Sequence, residues 1–202
     1  MGEPTLFSKD QDYFVKSLRQ ETSESHQKLE ENPLSKAILD PGVTLADYQA
    51  YLSKLYGVTI ACEDQVFPAV SQHLPDLSGR YKSGQIIEDL SSTGMSDVEI
   101  DAIPVFQFHF EDTSEAMGIM YVLEGSTLGG RILYKHIHET LGLDSESGAS
   151  YFWGYGAETG PRWKSFMAAL GQQAESDGAA KKIIESAKRT FTHIDHWLSG
   201  SN

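Results

Sequence analysis

The chain has a single cysteine, Cys62, among its 202 residues, which excludes an internal disulfide and suits a reducing compartment. Positive charge is also scarce: 16 Lys and Arg stand against 29 Asp and Glu, a formal net charge of -13. Such a field repels nucleic acid and anionic membrane, so neither is expected as a partner. No run approaches the ~18 apolar residues of a membrane span. Met1 to Gln11 lack the charged-then-apolar pattern of a signal peptide, and Leu6 stands where N-myristoylation wants Ser or Thr. These absences predict a cytoplasmic protein. No internal repeat, low-complexity tract or linker divides the chain, and its length suits one domain. The expectation is a mobile N-terminus over residues 1–10 and one helical domain over 11–200.

What is present is helical periodicity. A first helix is predicted from about Asp12 to Glu31, with Phe14, Leu18, Thr22, Ser25, His26 and Leu29 along one side. Asn32-Pro33 stops it, and a short helical piece follows over Leu34 to Leu39. Thr44 with Asp47 three residues on reads as a capping box, opening a long helix that ends near Pro68 to Pro75. Another helix is predicted across Arg80 to Leu90. Over 101–111, Phe106, Phe108 and Phe110 alternate with Gln107 and His109, which predicts an extended segment packed on a helical body. Helix resumes at about Thr113, with Ser114 as the candidate cap, and runs to Leu141. Residues 144–160 read as a Gly/Ser/aromatic loop, followed by helices over Pro161 to Ser176 and Ala179 to Leu198. The fold class is all-α.

The most informative stretch is Tyr121-Val122-Leu123-Glu124-Gly125-Ser126-Thr127-Leu128-Gly129-Gly130. Glycine inside a helix costs roughly 1 kcal/mol relative to alanine, yet Gly118, Gly125, Gly129 and Gly130 all fall in one helical pattern. At about 100° per residue, Gly118 and Gly125 nearly eclipse and Gly129 sits about 40° further round. The resulting stripe has no side chains. It allows a flat or bulky group to approach the backbone, lets the helix kink, or simply serves contact with another helix.

About 100 residues earlier stands Leu18-Arg19-Gln20-Glu21-Thr22-Ser23-Glu24-Ser25-His26. Together the two stretches resemble the haem oxygenase family. L-R-x-x-T-x-x-x-H is similar to that family's proximal-histidine helix, and E-G-x-x-x-G-G to its kinked, glycine-bearing distal helix. A third stretch, Phe152-Trp153-Gly154-Tyr155-Gly156-Ala157-Glu158-Thr159-Gly160-Pro161-Arg162-Trp163-Lys164, resembles the bacterial branch associated with phytochromes. The likeness implies a single-domain helical haem-oxygenase-like fold, with haem as both substrate and cofactor. It implies His26 as axial ligand to the iron, Gly125 and Gly129 over the distal face, and Ser126 where many members carry an aspartate that orders distal water. It further implies haem contacts from Thr22 and Phe191, and propionate contacts from Arg19 and Lys164. The next basic position of the family pattern is Ala168 here, and Arg162 is a candidate substitute. The implied reaction opens haem with O2 and electrons from a reductase or ferredoxin to give biliverdin, carbon monoxide and ferrous iron, with a phytochrome as the implied recipient of the bilin.

Three rivals stand beside this reading. A haem-binding carrier or sensor without turnover is consistent with Ser126. A non-haem di-iron oxygenase on the same scaffold needs several Glu, Asp and His on facing helices. A thiaminase-like hydrolase needs a nucleophile, for which only Cys62 is available. The other histidines point to no dedicated metal site: His136 and His138 cannot share a helix face, and His193 and His196 lack a patterned third ligand.

Overall fold

The computed structural model describes residues 9–200, with side chains from residue 11. The predicted mobile segment over 1–10 lies outside the described residues except for Lys9 and Asp10, which open the first helix. The order is α1 Lys9–Glu31, α2 Pro33–Ala37, α3 Leu45–Ala61, α4 Phe67–Val70, α5 Ser83–Ser92, α6 Asp97–Asp101, α7 Thr113–Leu141, α8 Ser150–Trp153, α9 Thr159–Gln173 and α10 Asp177–Leu198. A π-helical turn, Cys62–Val66, joins α3 to α4, so the long helix loses its α register before it ends. Among the described residues there is no strand. The fold is all-α, as the periodicity implies.

Local chemistry sets most of the helix ends. Thr44 and Asp47 form the predicted capping box on α3. Asp112 caps α7, its Oδ1 accepting from Glu115 N at 3.1 Å. Ser114, the predicted cap, is instead the second residue of the helix, buried and accepting from Gln173 Nε2 at 3.2 Å. The helix predicted from Arg80 starts at Ser83, because a carboxylate from another element takes its free amides: Lys82 N and Ser83 N both donate to Glu63 Oε1, at 2.6 and 2.8 Å. The predicted loop at 144–160 contains α8, whose first amides are held the same way by Asp89 at 2.9 and 2.8 Å. Ser176, placed at the end of α9 by periodicity, is the N-cap of α10.

The extended segment over 101–111 forms as predicted from Ile103 on, after α6 has taken residues 97–101. Phe106 and Phe108 are buried while Gln107 and His109 face out. Its backbone pairs with a side chain instead of a strand. Gln65 Nε2 donates to Phe106 O at 3.2 Å and Gln65 Oε1 accepts from Phe108 N at 2.9 Å, while Phe106 N reaches Gly57 O at 3.1 Å.

Helix α10 is the centre of the packing and lies against both α7 and α1. It buries Ile183, Ala187, Phe191, Ile194 and Leu198, each large apolar side chain contributing about 1.5–3 kcal/mol. Gly118 lets α7 come close: a Cβ there would lie 2.5 Å from the Ile183 carbonyl oxygen and 2.8 Å from Ser186 Cβ. Asn32 fixes the far end, donating to Asp195 O at 3.0 Å and to Ser199 Oγ at 2.8 Å. With α10 as floor, α1 and α7 become two walls.

Candidate functional site

Thr22 and Tyr121 join those walls. Thr22 is buried, its hydroxyl donating to Leu18 O at 2.7 Å. Burial pushes the Tyr121 phenol up, opposed by its hydrogen bond with Thr22 and by the positive charge of Arg19. One turn beyond Thr22 on α1 stands His26, and one turn beyond Tyr121 on α7 stands Gly125. The motifs that sequence alone left a hundred residues apart therefore start from one contact.

The His26 side chain is 55% exposed, with Nε2 3.6 Å from Glu30 Oε1. Its ring meets Phe191 of α10 edge-on, centroids 5.2 Å apart at 61°. A core histidine, the commoner role for an isolated histidine on an apolar face, would be enclosed; this one is open on one side and braced on the other. Glu30 lies beyond hydrogen-bond reach, so the Phe191 ring is the contact that braces the imidazole. Sequence reading singled out His26 and Phe191 but not Glu30, although its i+4 spacing from His26 was the available signal.

The glycine stripe divides three ways. Gly118 is spent on α10. Among the described residues, a Cβ at Gly125 would meet only the Trp163 ring, at 3.7 Å, and one at Gly129 would meet nothing within 4 Å. A Cβ at Gly130 would lie 3.2 Å from the Phe152 carbonyl oxygen of α8. Among the described residues, Gly129 thus presents backbone to open space and Gly125 presents it to the Trp163 indole. Helical hydrogen bonding continues through all of them, since α7 runs unbroken from Thr113 to Leu141. Ser126 is exposed and donates to Leu123 O at 2.7 Å.

Arg19 and Lys164 are both exposed. Arg162, the candidate substitute cation, is otherwise engaged: Nη1 donates to Gly79 O at 3.1 Å and the guanidinium lies 4.7 Å from the Tyr155 ring centroid. Trp163, which sequence reasoning treated only as part of an aromatic stretch, packs its indole on Tyr121 with centroids 5.8 Å apart.

Behind this wall is a buried polar cluster that the sequence did not reveal. Arg80 has no exposed side-chain surface. It donates through Nε and Nη2 to Asp76 at 3.1 and 2.8 Å, through Nη1 to Glu124 Oε2, and through Nη2 to Arg162 O at 3.1 Å. Glu124 Oε1 accepts from the Tyr155 hydroxyl at 3.0 Å. Lys82 Nζ lies 3.9 Å from the Tyr155 ring centroid, and burial lowers its pKa to about 8 against the opposing pull of Glu124.

The other titratable groups offer less. Burial pushes the Cys62 thiol up, with Glu124 and Glu63 adding to it, and its Sγ sits 3.7 Å from Met120 Sδ. Such a thiol is a poor nucleophile. His136 Nε2 contacts Asp40 O and His138 Nδ1 contacts Leu143 O, each at 3.0 Å. Among the described residues no group of three or more His, Cys, Asp or Glu is arranged to hold a metal ion, and no helix is long and apolar enough to cross a membrane.

An all-α domain that joins an exposed histidine helix to a glycine-bearing helix through one contact has known relatives. The family described as "Heme oxygenase" matches residues 12–199, and the chain belongs to it. A haem oxygenase of Xanthomonas campestris pv. campestris (strain 8004) is 32% identical over 83 residues, 41% of this chain and 48% of that one. The match thus spans about half the length of that curated relative. The haem oxygenase of Neisseria meningitidis, solved with NO and CO bound, has a TM-score of 0.73 at 22% identity, covering 94% of this chain and 93% of that one. The Leptospira interrogans haem oxygenase gives 0.74 at 18%, covering 93% and 98%. Haem oxygenase-1 of a Synechocystis cyanobacterium, in complex with haem, gives 0.70 at 17%, covering 93% and 91%. At these identities the structures establish the fold.

Proposed function

We propose that this protein binds haem through His26 and opens it with O2 and electrons from a separate donor, a reductase or ferredoxin, to biliverdin, carbon monoxide and iron. The observation that carries this reading is an exposed His26, its ring braced by Phe191, on a helix joined through Thr22 and Tyr121 to the α7 glycines, where among the described residues a Cβ would meet only the Trp163 ring at Gly125 and nothing within 4 Å at Gly129.

Haem supplies the redox iron and the carbon framework that is oxidised. His26 would hold the iron, its imidazole kept in orientation by the edge-on Phe191 ring. Gly125 and Gly129 admit the other face to backbone distance, excluding water by close contact. Phe191 provides an apolar edge, and most of the affinity comes from such burial. Arg19 and Lys164 are the cations for the two propionates, acting on orientation. Thr22 acts from behind by seating Tyr121 at the join of the walls. The Ser126 hydroxyl gives its proton to Leu123 O, so it serves a distal water as acceptor only; proton delivery falls to ordered water. The stretch from Phe152 to Lys164 supports a bilin destined for a phytochrome.

The committed Ser126 proton also favours a second reading, a haem-binding carrier or sensor without turnover. One experiment separates the two. Haemin is added to purified protein, then ascorbate or a reductase system in air. The proposal expects a one-to-one complex with a histidine-ligated Soret band that converts to a bilin band. A stable Soret band under reduction and oxygen would establish the carrier, and no complex at all would overturn both.

A further inference from the structure

The buried Arg80 cluster lies outside the catalytic surface, yet its partners are the residues immediately before two pieces of that surface. Glu124 precedes Gly125. Arg162, whose carbonyl oxygen Arg80 Nη2 holds at 3.1 Å, precedes Trp163. Trp163 is in turn the only group among the described residues that a Cβ at Gly125 would meet, at 3.7 Å. One guanidinium therefore fixes both the α7 backbone entering the glycine face and the α9 backbone presenting the indole against it. The carboxylate is held from two sides, by Arg80 on Oε2 and by the Tyr155 hydroxyl on Oε1 at 3.0 Å.

Stability alone is a weak reason for such a pair, because desolvating two charges consumes most of their attraction and apolar residues of similar volume serve as well. Geometry is a better one. With Gly125, Gly129 and Gly130 close together, α7 has few side chains to hold its path here. A displacement of about 1 Å at a reacting centre is enough to alter the outcome of a reaction.

We propose that the Arg80–Glu124 pair is a positioning clamp: it sets the separation between the Gly125 backbone and the Trp163 indole, and through that separation decides which edge of the bound tetrapyrrole is opened. Arg80 and Glu124 are positioning residues, since neither reaches the open face. The part concerning product rests on the haem-opening reading; the part concerning Trp163 does not.

The test uses the full chain labelled with 5-fluorotryptophan, which gives three fluorine resonances for Trp153, Trp163 and Trp197. Trp163→Phe assigns the relevant one. In haem-free protein, Glu124→Gln should shift or broaden the Trp163 resonance and leave Trp197 in place. With haemin, the same variant should keep the His26-ligated Soret band and haemin affinity within about twofold, while the minor biliverdin isomers rise at least severalfold. Tyr155→Phe removes one hydrogen bond from the same carboxylate. It should shift the same resonance to a smaller degree, and it carries the test if Glu124→Gln does not fold. A Trp163 resonance unmoved in both variants overturns the clamp. A moved resonance with an unchanged isomer ratio overturns its role in choosing the edge. Wild-type protein that forms no bilin contradicts the haem-opening reading instead, and the Trp163 resonance then decides the clamp by itself.

Discussion

Gly118 and Gly129, three turns apart on α7, meet opposite surroundings: a Cβ at 118 would lie 2.5 Å from the Ile183 carbonyl oxygen, whereas one at 129 would meet nothing within 4 Å. The same residue type serves helix contact at one position and an open surface at the other. Gly118→Ala should therefore destabilise the haem-free protein by about 1–3 kcal/mol through overpacking against α10. Gly129→Ala should raise its stability by up to about 1 kcal/mol from helix propensity yet reduce single-turnover bilin yield, because the methyl would intrude on the proposed haem face. Apo-protein melting beside bilin yield measures both. Undiminished yield in Gly129→Ala would remove that residue from the distal face.

Arg19 and Lys164 are predicted to orient the ligand more than to hold it. Arg19→Glu or Lys164→Glu should change haemin affinity less than tenfold but mix the biliverdin isomers, which chromatography of the product resolves. A single clean isomer from both variants would mean that the propionates are held elsewhere.

Lys82 gives a pH signature. Burial lowers its folded pKa from 10.5 to about 8, so between those values the unfolded chain binds a proton that the folded one has released. Unfolding free energy contributed by this group therefore rises with pH across that window. At lower pH the folded protein carries the desolvated charge among Arg80, Arg162 and Glu124. The stability difference between wild type and Lys82→Met should shift in favour of wild type as pH goes from 8 to 10.5, by up to about 3 kcal/mol. Denaturant melts of both proteins at several pH values measure it. A flat difference would mean Lys82 titrates normally.

Much of this was legible before any coordinates. The alternation of Phe106 and Phe108 with polar neighbours announced an extended segment, although only the structure shows Gln65 standing in for a strand partner. His26 and the Gly125/Gly129 pair were marked by the resemblance of their two motifs to the haem oxygenase family. The division of the glycine stripe was not, because Gly118 and Gly125 nearly eclipse on a helical wheel and only the position of α10 separates them. The Arg80–Glu124 pair was invisible for a different reason. Its members are 44 residues apart, and local patterns carry no record of such pairings. The available signal was a glutamate set directly before Gly125 in an otherwise apolar run, within a chain where arginine is scarce.

The central claim is that His26 holds the iron, and a haemin titration of wild type against His26→Ala tests it most directly. Wild type should show a one-to-one, histidine-ligated Soret band. His26→Ala should lose that spectrum and bilin formation together and recover both on addition of imidazole, while His136→Ala and His193→Ala match wild type. A His26→Ala protein with an unchanged Soret band and undiminished bilin yield would contradict the account.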